Sequence, residues 1–325
     1  MGNLDKIEGI QQNVELAKFT TFQIGGPALY YYEAQDIMMI PKLIEASQAD
    51  GLPFLVLGWG SNVVFSEKGF QGLVIRNVSR KCEVGETVEA AGEEGQPDFR
   101  PAGQLLVADS GTLLSQVIHC ALQNGLTGIE KLTGVPGTIG GAVRGNAGAY
   151  GLETKHLFES ALVYNPDENK LTEAGRDYMK FDYRNSRIKS SHDIILRVSL
   201  RLFPGDTEKA KLEVQNILIS RTGKHPQGRS AGSFFKNPSG NSVGQGMVAG
   251  KLIDQCGFKG KHLGGAFISD KHANFLMSDG TATLQDIMEL SLEIQKSVWD
   301  KFKVRLEREV VLVGEHGYIP DEPEL

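Results

Sequence analysis

Three short stretches place reactive side chains in surroundings where they could do chemistry. In FDYRNSRIK, Tyr183 and Arg184 precede Asn185-Ser186 in a turn-like run, and an arginine there could clamp a carboxylate through two parallel hydrogen bonds. Most arginines are simply solvated, and the stretch alone does not separate the two readings. In AGSFFKNP, Ser233 follows a glycine and precedes two aromatic residues, which suits a hydroxyl in a constricted, partly dry place. It lacks the G-x-S-x-G elbow and has no nearby histidine base, so acyl transfer is disfavoured and a proton or hydrogen-bond donor fits better. A purely structural serine stays open. In RLEREV, Glu307 and Glu309 share one face of an extended segment and Arg308 takes the other. Local pattern does not decide which glutamate would meet a ligand, or whether the segment is only a solvated edge.

The elements that must position these groups are rich in glycine. LTGVPGTIGGAVRGNAGAYG, residues 132–151, carries glycine at 134, 137, 140, 141, 145, 148 and 151, with Arg144 as its one charge. Such a run is not expected to form a helix. It suits main chain laid directly against a flat or anionic ligand, or a tight chain crossing. A second turn, GWGSN at 58–62, follows the apolar strand FLVL and would present backbone N–H groups at a strand end, a nest suited to pyrophosphate. It matches neither G-x-G-x-x-G nor a P-loop, and a self-bonded Ser-Asn turn explains it equally well.

Along the chain, Gly25-Gly26-Pro27 marks a turn before an aromatic strand, and Asp36 caps a helix carrying Ile40, Leu43, Ile44 and Ser47. Residues 83–104 read as an acidic, exposed hairpin or loop leading into the strand LLVA. Leu114, Val117, Ile118, Ala121 and Leu122 form the stripe of a helix closed by Asn124-Gly125. DIILRVSLRLF alternates as a half-exposed strand with Arg197, Ser199 and Arg201 outward, and Asp206 caps a helix whose apolar face includes Ile217 and Leu218. RTGKHPQGRS reads as a linker; Thr283 and Asp286 form a capping box, and GEHGYIPDEPEL reads as a frayed tail.

Composition narrows the class. The 325 residues allow two or three domains, and 40% hydrophobic with 23% charged residues is ordinary for a soluble protein. A net charge of -6 argues against a general nucleic-acid binder. No signal peptide or membrane-spanning run is apparent, so a cytoplasmic protein without membrane insertion is expected. Cys82, Cys120 and Cys256 form no paired motif, so they read as buried thiols with neither disulfide nor metal site.

Seven segments in order, TTFQIGGPA, LGWGSN, GVPGTIGGAVRGNAGAYG, FDYRNSRIK, AGSFFKNP, AGKLIDQCGFKGKHLGGAFISDKHANF and LEREV, closely resemble the UDP-N-acetylenolpyruvoylglucosamine reductase family of bacterial cell-wall synthesis. They span residues 20 to 310. The resemblance implies an α+β, PCMH-type FAD-binding fold of two subdomains plus a third α+β substrate-binding domain. It puts 1–78 with 303–325 in the first subdomain, 79–220 in the second and 225–302 in the third. It also implies NADPH as reductant, a UDP-sugar as small-molecule substrate, and a monomer. GWGSN holds no histidine of the kind that tethers flavin in wider relatives, so the FAD is expected to be noncovalent.

By the same resemblance, Gly58, Trp59, Gly60, Ser61 and Asn62, and Gly134, Val135, Pro136, Gly137, Gly140, Gly141, Ala142 and Asn146, contact the cofactor. Arg184, Ser233 and Glu309 are the implied catalytic residues: hydride passes by way of flavin N5 to the enolpyruvyl methylene, Arg184 and Glu309 hold the carboxylate, and Ser233 protonates the α-carbon. Tyr183, Lys224, Asn237, Lys259 and His272 are implied substrate contacts. No room exists between Arg184 and Lys224 for the extra tyrosine-bearing loop of one subgroup, so the chain is similar to the other subgroup. A flavin oxidase or dehydrogenase of the same architecture, and a non-catalytic flavin-binding protein, are the alternatives.

Overall fold

The computed structural model describes residues 2–96, 99–238 and 246–321. The chain forms two compact units, one made of residues 1–32, 47–74 and 222–325, the other of 33–46 and 75–221. In the first, a sheet runs in the order Gln11–Glu15, Pro27–Ala34, Phe70–Asn77, Phe54–Leu57. Proline opens its second strand directly after Gly25-Gly26, where Gly26 lies so close to the Glu67 carbonyl that any Cβ would fall 2.1 Å from it. A second sheet pairs Val63–Phe65 in parallel with Val311–Gly314, whose other neighbour is Gly317–Ile319. A third, small sheet orders Arg229–Ser230, Leu276–Ser278, Ala266–Ile268 and His262–Leu263.

The long helix Leu284–Phe302 begins at the capping box expected from sequence: Thr283 accepts from Asp286 N, and Asp286 accepts in return from Thr283 N. Its buried stripe of Ile287, Leu290, Ile294 and Val298 joins Phe234, Phe235, Leu252 and Ile253 in one core with Phe22, Ile24, Val64 and Leu312. Residues from both ends of the chain therefore share the apolar interior on which Ser233 and Glu309 are mounted.

The second unit is built on an antiparallel sheet ordered Lys170–Gly175, Phe158–Asn165, Ile194–Pro204, Gly103–Asp109, Cys82–Val88, with Leu126–Thr127 paired to the end of its central strand. Helix Leu114–Gln123 lays Leu114, Val117, Ile118 and Ala121 into a core with Leu106, Ala108, Val198 and Leu200. The acidic stretch is a hairpin, as expected, with Cys82–Val88 as its mostly exposed outer strand.

Five expectations give way in the structure. The glycine run contains a short helix, Ile139–Arg144, because Ile139, Ala142 and Val143 are buried and Thr138 caps it; tertiary burial outweighs a propensity cost of about 1 kcal/mol per glycine. Arg201 is buried, bonded to Glu159 and to the Glu89 and Pro101 carbonyls, so the hairpin's end covers the strand face expected to meet water. Leu218, by contrast, is exposed on helix Thr207–Lys224. The supposed tail forms Gly317–Ile319, and Asp321 binds Arg308 at 2.7 Å. All three cysteines are half-buried.

Candidate active site

In the first unit, hydrogen bonds bring three sequence-distant segments together. Residues 234–236 run antiparallel to 307–309: Glu309 N donates to Phe234 O at 2.8 Å and Lys236 N to Glu307 O at 2.9 Å. Ser233 is exposed at the head of that segment, just before the buried Phe234 and Phe235. Asn62, closing the GWGSN turn, donates from Nδ2 to Glu309 O at 3.0 Å, and its own carbonyl accepts from Val311 N at 3.0 Å. The two glutamates that sequence leaves equivalent are now distinct. The Glu307 carboxylate is paired with Lys236 at 2.9 Å and is largely exposed, whereas Glu309 is half-buried.

The turn itself must be glycine at its centre. Gly60 has φ +69, and a Cβ there would lie 2.0 Å from Phe19 O. Thr21 N donates to Gly60 O at 3.0 Å, while the Thr21 hydroxyl is buried without a hydrogen-bond partner among the described residues. Trp59 is exposed beside it.

In the second unit, Arg184 sits in a left-handed turn, φ 51, and its guanidinium donates to Gly148 O at 2.7 Å. Tyr183 lies under the same guanidinium at 5.1 Å. Asn146 explains how that turn is held. Fully buried, it donates to Asp182 O at 2.8 Å and accepts from Lys155 N at 3.0 Å, and Ser186 adds a bond to Arg144 O at 2.7 Å. The Asn146 side chain therefore fastens GNAGAYG to DYRNS and does not face outward. Arg221 is drawn across the same run, donating to Gly134 O at 3.2 Å and lying 5.7 Å from the Tyr150 ring.

The first-turn N–H groups of helix Ile139–Arg144 are already used: Ile139 N by Thr112 O, Gly140 N by Ser110 O and Gly141 N by the Thr138 hydroxyl. An anion here would be met by the loop before the helix, Gly134 to Thr138, and not by the helix end. Gly140 is close-packed, a Cβ falling 2.6 Å from Ser110 Cβ, whereas Gly141 is exposed with nothing nearer than Thr138 Oγ1 at 3.5 Å. The adjacent Thr133 hydroxyl is buried and has no partner among the described residues. Taken separately, each glycine turn has bare main chain beside a buried hydroxyl unpartnered among the described residues, and the second also has the Arg221 charge, a donor set suited to an anionic nucleotide group.

The remaining predicted contacts fall in the first unit. Asn237 accepts from Ala249 N at 3.0 Å and starts helix Ala249–Gln255. Lys259 pairs with Asp254 at 2.8 Å. His272 is half-buried, and burial, reinforced by the Lys259 charge, lowers its pKa; its Nδ1 accepts from Asn274 N at 3.2 Å, which fixes a neutral ring. The Lys224 side chain lies outside the described residues. Sequence reasoning missed the Thr138 cap, although a threonine ahead of three apolar helix positions was signal enough. It also missed Asn274, for which no local signal exists.

Comparison with known proteins gives a consistent picture. Residues 224–313 match the family model described as UDP-N-acetylenolpyruvoylglucosamine reductase, C-terminal domain, and residues 28–170 match the FAD binding domain. The chain is 39% identical to UDP-N-acetylenolpyruvoylglucosamine reductase of Caldicellulosiruptor saccharolyticus, over 92% of this chain and 90% of that protein. It is 36% identical to the enzyme of that name from Clostridium novyi, over 97% and 95%. The crystal structure of UDP-N-acetylenolpyruvylglucosamine reductase from Thermus caldophilus superposes with a TM-score of 0.71 at 30% identity, covering 93% of this chain and 99% of that one.

Proposed function

This chain belongs to the UDP-N-acetylenolpyruvoylglucosamine reductase family, and from that membership we propose that Arg184, Ser233 and Glu309 carry its chemistry. The protein is an FAD-dependent oxidoreductase of PCMH-type fold that uses NADPH to reduce the enolpyruvyl group of UDP-N-acetylenolpyruvoylglucosamine to UDP-N-acetylmuramate, a peptidoglycan precursor. Bound FAD supplies hydride transfer from NADPH to the substrate's methylene carbon.

The chain's own residues deal with the charge that follows. Addition of hydride leaves negative charge on the α-carbon, delocalised into the carboxylate. Arg184, its guanidinium steadied by Gly148 O, offers a planar cation matched to that carboxylate. Glu309, half-buried, is the second residue proposed to polarise that group. Ser233 gives its hydroxyl proton to the α-carbon; serine is a weak acid, but the carbanionic centre is a strong base. Gly58 to Asn62 and Gly134 to Ala142 bind FAD, and Tyr183, Lys224, Asn237, Lys259 and His272 meet the UDP-sugar.

The observation that carries this reading is the pairing of 234–236 with 307–309, tied to Asn62 of the first glycine turn. It supports one neighbourhood for Ser233, Glu309 and a cofactor turn. The domain division 1–78 with 303–325, 79–220 and 225–302 belongs to the same proposal; the family match over 224–313 supports only its boundary near residue 224. So do a cytoplasmic location and a monomeric state; no helix among the described residues is long and apolar enough to cross a membrane.

Anaerobic stopped-flow absorbance tests it. NADPH should bleach the flavin, and UDP-N-acetylenolpyruvoylglucosamine should restore its colour without oxygen. Flavin reoxidised by oxygen alone would instead favour an oxidase of the same architecture.

A further inference from the structure

The strand that presents Ser233 has a second clamp, on the side opposite Glu309. Asn274 is 4% exposed and uses its side-chain amide as a surrogate strand: Oδ1 accepts from Phe235 N at 3.0 Å and Nδ2 donates to Phe235 O at 2.8 Å. Its main-chain carbonyl accepts from Phe234 N at 2.8 Å. Only one orientation of the amide satisfies both Phe235 groups, and no other uncharged side chain of this size offers a donor and an acceptor so disposed. Asn274 N in turn donates to Nδ1 of His272, so one residue ties a proposed substrate contact to the proposed proton donor.

We propose that Asn274 is a positioning residue for Ser233. Phe234 and Phe235 are buried side by side with ring centroids 5.2 Å apart, and Glu309 and Asn274 between them engage every main-chain N–H and C=O of these two residues after Ser233. The main chain from which Ser233 projects is thereby anchored on both sides. The proposal rests on the assignment of Ser233 as proton donor, and a misplacement of about 1 Å in such a group costs on the order of 100-fold in rate.

The test separates the two half-reactions in the FAD-loaded protein. Asn274→Ala should leave flavin bleaching by NADPH within about twofold of the parent and slow reoxidation by UDP-N-acetylenolpyruvoylglucosamine about 100-fold. Because Asn274 acts through the serine, the double variant Ser233→Ala/Asn274→Ala should reoxidise no more slowly than Ser233→Ala alone. Reoxidation of Asn274→Ala within twofold of the parent, or a multiplicative further loss in the double variant, overturns the proposal. Hydrogen exchange of the parent protein gives a readout independent of turnover and of whether the variant folds. The amides of Phe234 and Phe235 should be protected like those of Leu276–Ser278, and exchange as fast as an exposed loop overturns the clamp. Should the parent itself fail to reoxidise with substrate, the assignment of Ser233 falls, while exchange still judges the clamp.

Discussion

Two adjacent glycines should respond to the same substitution with opposite sign. At Gly140 an added methyl would sit 2.6 Å from Ser110 Cβ and 2.9 Å from Ser110 O. An ordinary carbon contact is near 3.5–4.0 Å, so the helix or the turn at Ser110 must yield by about 1 Å, and overpacking of this kind costs about 1–3 kcal/mol. At Gly141 the methyl meets only Thr138 Oγ1 at 3.5 Å, a normal contact, on an exposed helical residue. There alanine should stabilise the apoprotein by up to about 0.5–1 kcal/mol. If FAD lies against this stretch, that methyl enters the cofactor's space, and a penalty of about 1–3 kcal/mol weakens binding roughly 5- to 150-fold. Urea unfolding of the apoproteins, with FAD titration by flavin fluorescence, measures both effects. Gly140→Ala should shift the unfolding midpoint down, and Gly141→Ala should hold or raise it while losing FAD. A Gly141→Ala protein that keeps FAD affinity within twofold would refute a cofactor laid against Gly141.

Ser233→Ala should retain FAD and its reduction by NADPH but slow product formation by about 10²–10⁴-fold; unchanged turnover removes the serine from the mechanism. Glu309→Gln should reduce turnover by about 10²–10³-fold, while Glu307→Gln, which loses only an exposed ion pair with Lys236, should change stability by no more than about 0.5 kcal/mol and turnover less than twofold; equal effects would undo the distinction. His272 has its pKa lowered by burial from an ordinary 6.5, so the unfolded chain takes up its proton first. Its contribution to stability is complete above about pH 6.5 and declines as pH falls from there toward the folded value. Urea midpoints from pH 8 to pH 5 should show that decline in the parent and less of it in His272→Gln, and parallel curves would exclude His272 as its source.

Much of this was readable from residue order, for reasons that differ by element. Thr283 with Asp286 and the stripe from Leu114 to Ala121 are local signals whose elements formed where the pattern placed them, whereas Asp36 closes a turn onto Met38 N and its helix begins only at Met39. Ser233 and Glu309 were nameable because their segments resemble a family, but their pairing depends on main-chain bonds between residues 75 apart. No local pattern encodes such a contact. The helix Ile139–Arg144 was misjudged because glycine propensity was weighed without the burial of Ile139 and Val143. The closing segment was misjudged because Asp321 looks like tail composition until Arg308 is seen beneath it. Alternation along a strand does not separate Glu307 from Glu309; the family resemblance names Glu309, and Lys236, paired with Glu307, gives the two carboxylates different surroundings.

The bond from Asn62 to Glu309 spans 247 residues, and the parallel partner of Val63–Phe65 is Val311–Gly314. During synthesis the first glycine turn must therefore wait, emerged but unsupported, until its distant partner leaves the ribosome, roughly 12 to 50 s later at ordinary elongation rates. The nucleotide contact proposed for that turn would thus be gained late and all at once, and nascent chains stalled before Glu309 would lack it however well their helices had formed.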